Sequence, residues 1–190
     1  MKTTILAAML LVPLQSARTQ EPGYPPVLPY ASVDGWNVLI DMDAGPTCYV
    51  LGTYAAGTIL RIGVDLSGGS TLVVANPAWK TLKHDVSYPS VIAFDGKDAW
   101  KGQSRYADDS GMGTMVFAFT DPEFVKGFMD ASTLTLKVDG KDMAKVRLTG
   151  SRKAMAAMVL CQGDIDAIRK DAESGAGEVE EAPMAPLRTA

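Results

Sequence analysis

The chain is expected to fold as a mainly β protein, an antiparallel β-sandwich or open barrel with two peripheral α-helices. Three observations carry that expectation. Apolar residues recur at every second position over many short segments, turn residues separate those segments, and only two stretches show the spacing of a helix.

Before the first strand come two segments of different character. Met1 to Ala17 carries Lys2, an apolar run from Ile5 to Leu14, then small Ser16 and Ala17, the layout of a secretory signal peptide. The run is short of the roughly 20 residues that a membrane-spanning helix needs. It is therefore expected to be removed, with retention as a short anchor as the alternative, and no transmembrane span remains after cleavage. Residues 18–34 follow with Pro22, Pro25, Pro26, Pro29 and Gly23, a proline-rich linker that favours extended conformations and could lie on the domain through Tyr24 and Tyr30. Residues 35–170 make one domain, because the 173 residues left after cleavage hold one core and not two comfortable ones. Residues 171–190 mix Asp171, Glu173, Glu178, Glu180 and Glu181 with Gly, Ala and Pro and are expected to be disordered.

Within the domain, Trp36, Val38 and Ile40 share one strand face, as do Leu60, Ile62, Val64 and Leu66, and Met115, Phe117 and Phe119. The clearest alternation runs from Thr133 to Thr149. Leu134, Leu136 and Val138 form one inner edge, Val146 and Leu148 the other, and Asp139-Gly140 between them suits a tight hairpin turn. Asp95-Gly96 marks another reversal, and further turns are expected near Gly45-Pro46, Gly68-Gly69 and Asn76-Pro77. The first helix opens at Asp121-Pro122-Glu123, a capping acid followed by a proline at the first helical position, with Phe124, Val125, Phe128 and Met129 facing inward. The second begins near Ser151 with Ala154, Met158 and Cys161 on one stripe, extended by Ile165 and Ile168, unless Gly163 breaks it just beyond Cys161.

Cys48 and Cys161 are the two cysteines. In an exported chain they are expected to form a disulfide, two buried free thiols being the alternative. With the single His84 they make no metal-ligand set, and no metal or cofactor is expected.

Charge excludes one class of partner. Removing Lys2 leaves 17 basic against 22 acidic residues, and the acids concentrate in the tail, so the folded part is nearly neutral. Nucleic acid requires a stronger basic excess. One local cluster stands out: Lys137, Lys141, Lys145 and Arg147 lie on or near the outer face of the late hairpin. Such a cluster keeps an outer strand face soluble, or it contacts an anionic surface component or an acidic partner.

Catalytic constellations are sparse. His84-Asp85 could pair as base and orienter, but no nucleophile setting such as Gly-x-Ser-x-Gly accompanies it. Asp41 and Asp43, like Asp95 and Asp98, begin a calcium-loop pattern that is not completed: the twelfth position from Asp41 is Gly52, where a bidentate Glu is required. Asp108-Asp109 reads as a pair of turn acids, and Gly111-Met112-Gly113 lacks the full glycine pattern of a phosphate cradle. No catalytic residue is assigned.

The order of Trp36 and Val38, then Cys48-Tyr49-Val50, and finally Val146-Arg147-Leu148-Thr149-Gly150-Ser151 followed by Ala154, Ala156-Ala157 and Cys161 resembles the invasion-associated locus B proteins and related small envelope proteins of alphaproteobacteria. The resemblance spans roughly residues 35–162. It implies a periplasmic or surface β-sandwich connected with envelope function or host interaction, without established catalytic machinery and with no functional residue to carry over. The expectation is a periplasmic or secreted, non-enzymatic protein that binds an envelope or host protein or an anionic surface component. The alternatives are a secreted inhibitor of a foreign hydrolase and a small periplasmic hydrolase.

Overall fold

A computed structural model describes residues 27–43, 45–64, 69–109 and 111–175. The expected signal peptide, residues 18–26 of the linker and residues 176–190 of the tail lie outside the described residues. The described residues form ten strands and two α-helices: β1 (Val27–Val33), β2 (Trp36–Asp41), β3 (Thr47–Thr53), β4 (Ile59–Val64), β5 (Ser70–Asn76), β6 (Ser87–Phe94), β7 (Lys97–Asp109), β8 (Met112–Phe119), α1 (Pro122–Asp130), β9 (Thr133–Val138), β10 (Lys141–Arg147) and α2 (Ser151–Gly175).

All ten strands belong to one antiparallel sheet in the order β1-β2-β3-β4-β5-β8-β7-β6-β9-β10, which is not closed into a barrel. The pairing of β7 changes partner along its length. It pairs with β8 only through Arg105 to Asp109, against Met112 to Val116, while its first half pairs with β6. Where the two strands part, Trp100 of β7 meets Phe117 and Phe119 of β8 edge-on, each at 5.5 Å between ring centroids. Buried residues from both halves of the sheet share one core.

Alternation places the core residues as the sequence implies. Trp36, Val38, Leu60, Ile62, Met115, Phe117, Leu134, Leu136 and Leu148 are all buried, whereas Leu66 lies outside the described residues. Both expected hairpin turns have the paired positive φ of an Asp-Gly reversal: Asp95 and Gly96 at 48° and 80°, Asp139 and Gly140 at 50° and 75°.

Two boundaries differ from expectation. The linker does not run to residue 34, because Val27–Val33 pairs with β2 as an edge strand. An edge position tolerates Pro29, whose missing N–H leaves no ladder bond unmade on the solvent side, and the register shifts between Pro29 and Ala31. A third Asp-Gly dipeptide, Asp34-Gly35, supplies the turn with φ of 49° and 86°. At the other end, α2 runs through Gly163 to Gly175, so residues 171–175 are helical. Gly163 is exposed, and a mid-helix glycine costs only about 1 kcal/mol, which the burial of Cys161 and Ile165 on either side offsets.

The helices close the open side of the sheet. In α1, the Asp121 side chain accepts the Glu123 N–H at 2.9 Å, and Phe124 and Phe128 are buried. Phe128 lies 5.9 Å from Trp36 and 6.5 Å from Phe94, linking β2 to β6 through the core. The second helix, α2, packs on β1, β2, β3 and α1. Ala154, Met155, Met158, Cys161 and Ile165 face inward, while Ile168, expected on the same stripe, is 70% exposed. A disulfide joins Cys48 of β3 to Cys161 of α2, with Cα atoms 6.1 Å apart. Next to it, the Cys48 N–H donates to Gln162 Oε1 at 3.0 Å. No helix among the described residues is long and apolar enough to cross a membrane.

Candidate interaction surface

The late hairpin is an edge of the sheet, since β10 is the last strand in the order. On β9, Leu134, Leu136 and Val138 point inward and Lys137 outward. Val146 fixes the inward face of β10, leaving Lys145 and Arg147 outside, opposite Thr135 and Thr133. Lys141 is different. The register shifts between Asp142 and Ala144, so Lys141 stands opposite inward-facing Val138, and Asp142 stands opposite Lys137. A one-residue bulge exchanges the faces of everything beyond it. Lys137, Lys145 and Arg147 are therefore brought onto one face, and Lys141 sits apart at the hairpin tip.

Ion pairing sorts these cations further. Lys137 faces Asp142 across the strands at 3.7 Å. Neighbouring cations are also occupied: Arg152 by Asp130, Lys153 by Asp34 at 3.0 Å, and Lys101 by Asp98 at 2.8 Å. Among the described residues, Lys141, Lys145 and Arg147 have no carboxylate within ion-pair distance. An exposed cation without a partner leaves its full charge available to a ligand, subject to salt screening.

Arg147 also lines a cleft of about 340 Å³ where the two ends of the sheet approach. The Tyr54 hydroxyl donates to the Arg147 carbonyl at 2.7 Å, and Trp36 Nε1 donates to the Thr149 carbonyl at 2.9 Å. These bonds hold β10 against β2 and β3 without strand pairing. Burial raises the Tyr54 phenol far above its ordinary range, so it stays a neutral donor. Gly52 floors the cleft, because a Cβ there would come within 2.7 Å of the Trp36 ring.

His84 and Asp85 are in contact, Nδ1 to Oδ2 at 2.8 Å, and both side chains are exposed. Asp85 is shared with Arg105, whose Nε donates at 3.1 Å. The Arg105 bond, reinforced by His84, holds the Asp85 carboxyl below the usual carboxylate range. Asp85, itself a loop residue with a positive φ of 59°, is thereby committed to a structural contact with β7.

The remaining acids have structural partners. Asp41 Oδ2 accepts from Arg61 at 2.8 Å, and its Oδ1 accepts the Asp43 N–H at 3.1 Å. Asp95 accepts the N–H groups of Ser132 and Thr133 and the Thr133 hydroxyl. The Ser132 N–H is the main cause that lowers its carboxyl below the ordinary value. Asp108 Oδ1 accepts the Gly111 N–H at 3.0 Å, and the Asp109 side chain is not among those described. Gly113 is needed for packing: a Cβ would lie 2.6 Å from the Trp79 carbonyl oxygen. The Asp95 brace between two turns was not foreseen. In the sequence, Asp95-Gly96 reads as a hairpin turn and Asp95 with Asp98 as an incomplete calcium-loop pattern, although Asp side chains commonly satisfy nearby backbone donors.

No known family profile matches the sequence, and no curated protein matches it. The fold does match a solved structure, the invasion associated protein B from Bartonella henselae. The similarity has a TM-score of 0.57 at 14% sequence identity, covering 72% of this chain and 99% of that one. At this identity the match shows a shared fold.

Proposed function

We propose that this chain is an exported, non-enzymatic envelope protein, periplasmic or secreted, that binds a protein or an anionic surface component through the outer face of the β9–β10 hairpin. The observation that carries the reading is the pair of exposed cations, Lys145 and Arg147, without carboxylate partners among the described residues, on a surface where Lys101, Lys137, Arg152 and Lys153 are ion-paired. The disulfide suits an oxidising compartment, in agreement with the signal-like Met1 to Ala17. The invasion-associated protein that shares the fold gives the host-facing version of this role its support.

Crosslinking in intact cells, followed by affinity capture and mass spectrometry, tests it with Lys145→Glu/Arg147→Glu beside the parent protein. The double reversal is expected to remove a specific crosslinked species, and added salt should weaken the same capture. An unchanged set of crosslinks discards this face as the site. His84→Ala is expected to leave the biological effect intact. Loss of a measurable turnover in that variant would replace the binding role with a hydrolytic one.

A further inference from the structure

An apolar groove of about 320 Å³ lies between the C-terminal half of α2 and the β2–β3 turn. Ile40, Met42 and Pro46 form one wall; Ile165, Ile168 and Ala172 form the other, with Arg169 beside them and turned to Asp166. Ile168 is 70% exposed and Met42 40%. Apolar side chains of this size, grouped in a concave site, gain from being covered.

The direction of the chain says what reaches it. Trp36 stands at the start of α2 through its bond to Thr149, while Ile40 and Met42 line the groove with residues 165–172. Thus α2 and β2 run the same way, and β1, antiparallel to β2, approaches the groove as it is followed back toward its first residue. Val27 is opposite Asp41, one residue before Met42. Three residues after Val27, Tyr30 is fastened to α2, its hydroxyl donating to Asp164 Oδ2 at 2.7 Å, one helical turn before Ile168. The residues that enter β1 are Gly23-Tyr24-Pro25-Pro26, uncharged and carrying an aromatic ring and two prolines. An extended chain at roughly 3.3 Å per residue would carry Tyr24 about 10 Å beyond Val27, as far as the β2–β3 turn. Prolines lower the entropy lost when such a segment settles on a surface.

We propose that Tyr24-Pro25-Pro26 covers this groove, the Tyr24 ring packing on Met42 and Ile168. The inference is independent of the partner-binding face. It places the point where the chain's N-terminal end leaves the domain at the C-terminal end of α2. The acidic tail is a poorer occupant, because Glu178, Glu180 and Glu181 flank Val179 and precede Met184 and Leu187, and it would have to reverse direction after Gly175.

The test is methyl NMR on the full exported chain labelled at Ile and Met methyls, with Tyr24→Ala and Ile168→Ala variants. Nuclear Overhauser contacts from the Tyr24 ring to the Met42 and Ile168 methyls are expected, with both methyl signals shifting in Tyr24→Ala. The melting temperatures should be non-additive: Ile168→Ala costs less in the Tyr24→Ala background than alone. Methyl positions unchanged by Tyr24→Ala, with additive melting shifts, overturn the proposal. So do contacts from Met184 or Leu187, contacts from the Ile5 to Leu14 run, or shifts that depend on protein concentration, which would give the groove to the tail, to the apolar run or to a second copy.

Discussion

Breaking the bridge between Cys48 and Cys161 should cost this protein a large share of its stability. The two residues are 113 apart in sequence, and the bridge encloses everything from β3 to the middle of α2. In the chain-entropy treatment, closing a loop of that length removes about 16 cal/mol/K from the unfolded chain, or ~4.8 kcal/mol at room temperature. Domains of this kind have about 5–15 kcal/mol in total. Both sulfurs are buried, so reduction leaves two thiols in an apolar environment, where they pack as small hydrophobes, and the native contacts persist. The loss should therefore fall on the unfolded-state entropy.

Urea denaturation of the oxidised protein, the reduced protein and Cys48→Ala/Cys161→Ala measures this. A loss of about 3–5 kcal/mol is expected on reduction, and on the order of 10 °C in melting temperature. The denaturant slope should be smaller for the oxidised form, because a cross-linked unfolded chain exposes less surface. A loss below about 1 kcal/mol, or equal slopes, would refute the entropic reasoning.

Phe128→Ala removes the ring between Trp36 and Phe94 and should cost about 3–5 kcal/mol, read by the same urea titration; a cost near that of a surface change would mean that α1 does not join the two halves. Gly113→Ala must push the Trp79 backbone aside and should cost about 1–3 kcal/mol, checked by thermal melting. Asp95 has a carboxyl lowered by the Ser132 N–H. Its contribution is present above the unfolded carboxylate range, near pH 4, and is lost as pH falls through the lower folded value. Asp95→Asn, which tolerates the positive φ, should flatten the acid limb of the stability curve, and an unchanged limb would show that the brace does not hold those turns.

Local pattern was legible where strand alternation and turn chemistry agreed. Leu134, Leu136 and Val138 with Asp139-Gly140 define their hairpin without help from distant residues. The same dipeptide stands at Asp34-Gly35, beside Trp36, but Pro22, Pro25, Pro26 and Pro29 read together as a linker, and that reading hides β1. Prolines exclude a central strand and not an edge. Helix α2 was legible in its first half, where Ala154, Met158 and Cys161 recur at helical spacing. Its continuation through Gly163 is one of two readings open from the sequence, carried by the spacing of Ile165 and Ile168, and packing against β1 to β3 decides it. Strand order was the least accessible. Beside β4, the second partner of β5 is β8, reached only after the β6–β7 excursion, and non-local pairing of this kind leaves no local signature.

The candidate surface shows how much one residue of register can change. Uninterrupted alternation back from Lys145 puts Lys141 on the same face, giving four cations in a row. The shift between Asp142 and Ala144 leaves Met143 without an opposite residue, sends Lys141 to the other face and brings Asp142 in beside Lys137. One carboxylate then neutralises one lysine, and the free charge contracts to Lys145 and Arg147, where the strand leaves the sheet toward α2. This is also where Tyr54 and Trp36 hold the backbone at Arg147 and Thr149, so the two cations project from the part of an edge strand that is fixed from behind. A rigid mounting lowers the entropy a ligand contact must offset, and the unpaired cations at this end of β10 have that mounting, as the proposed binding role requires.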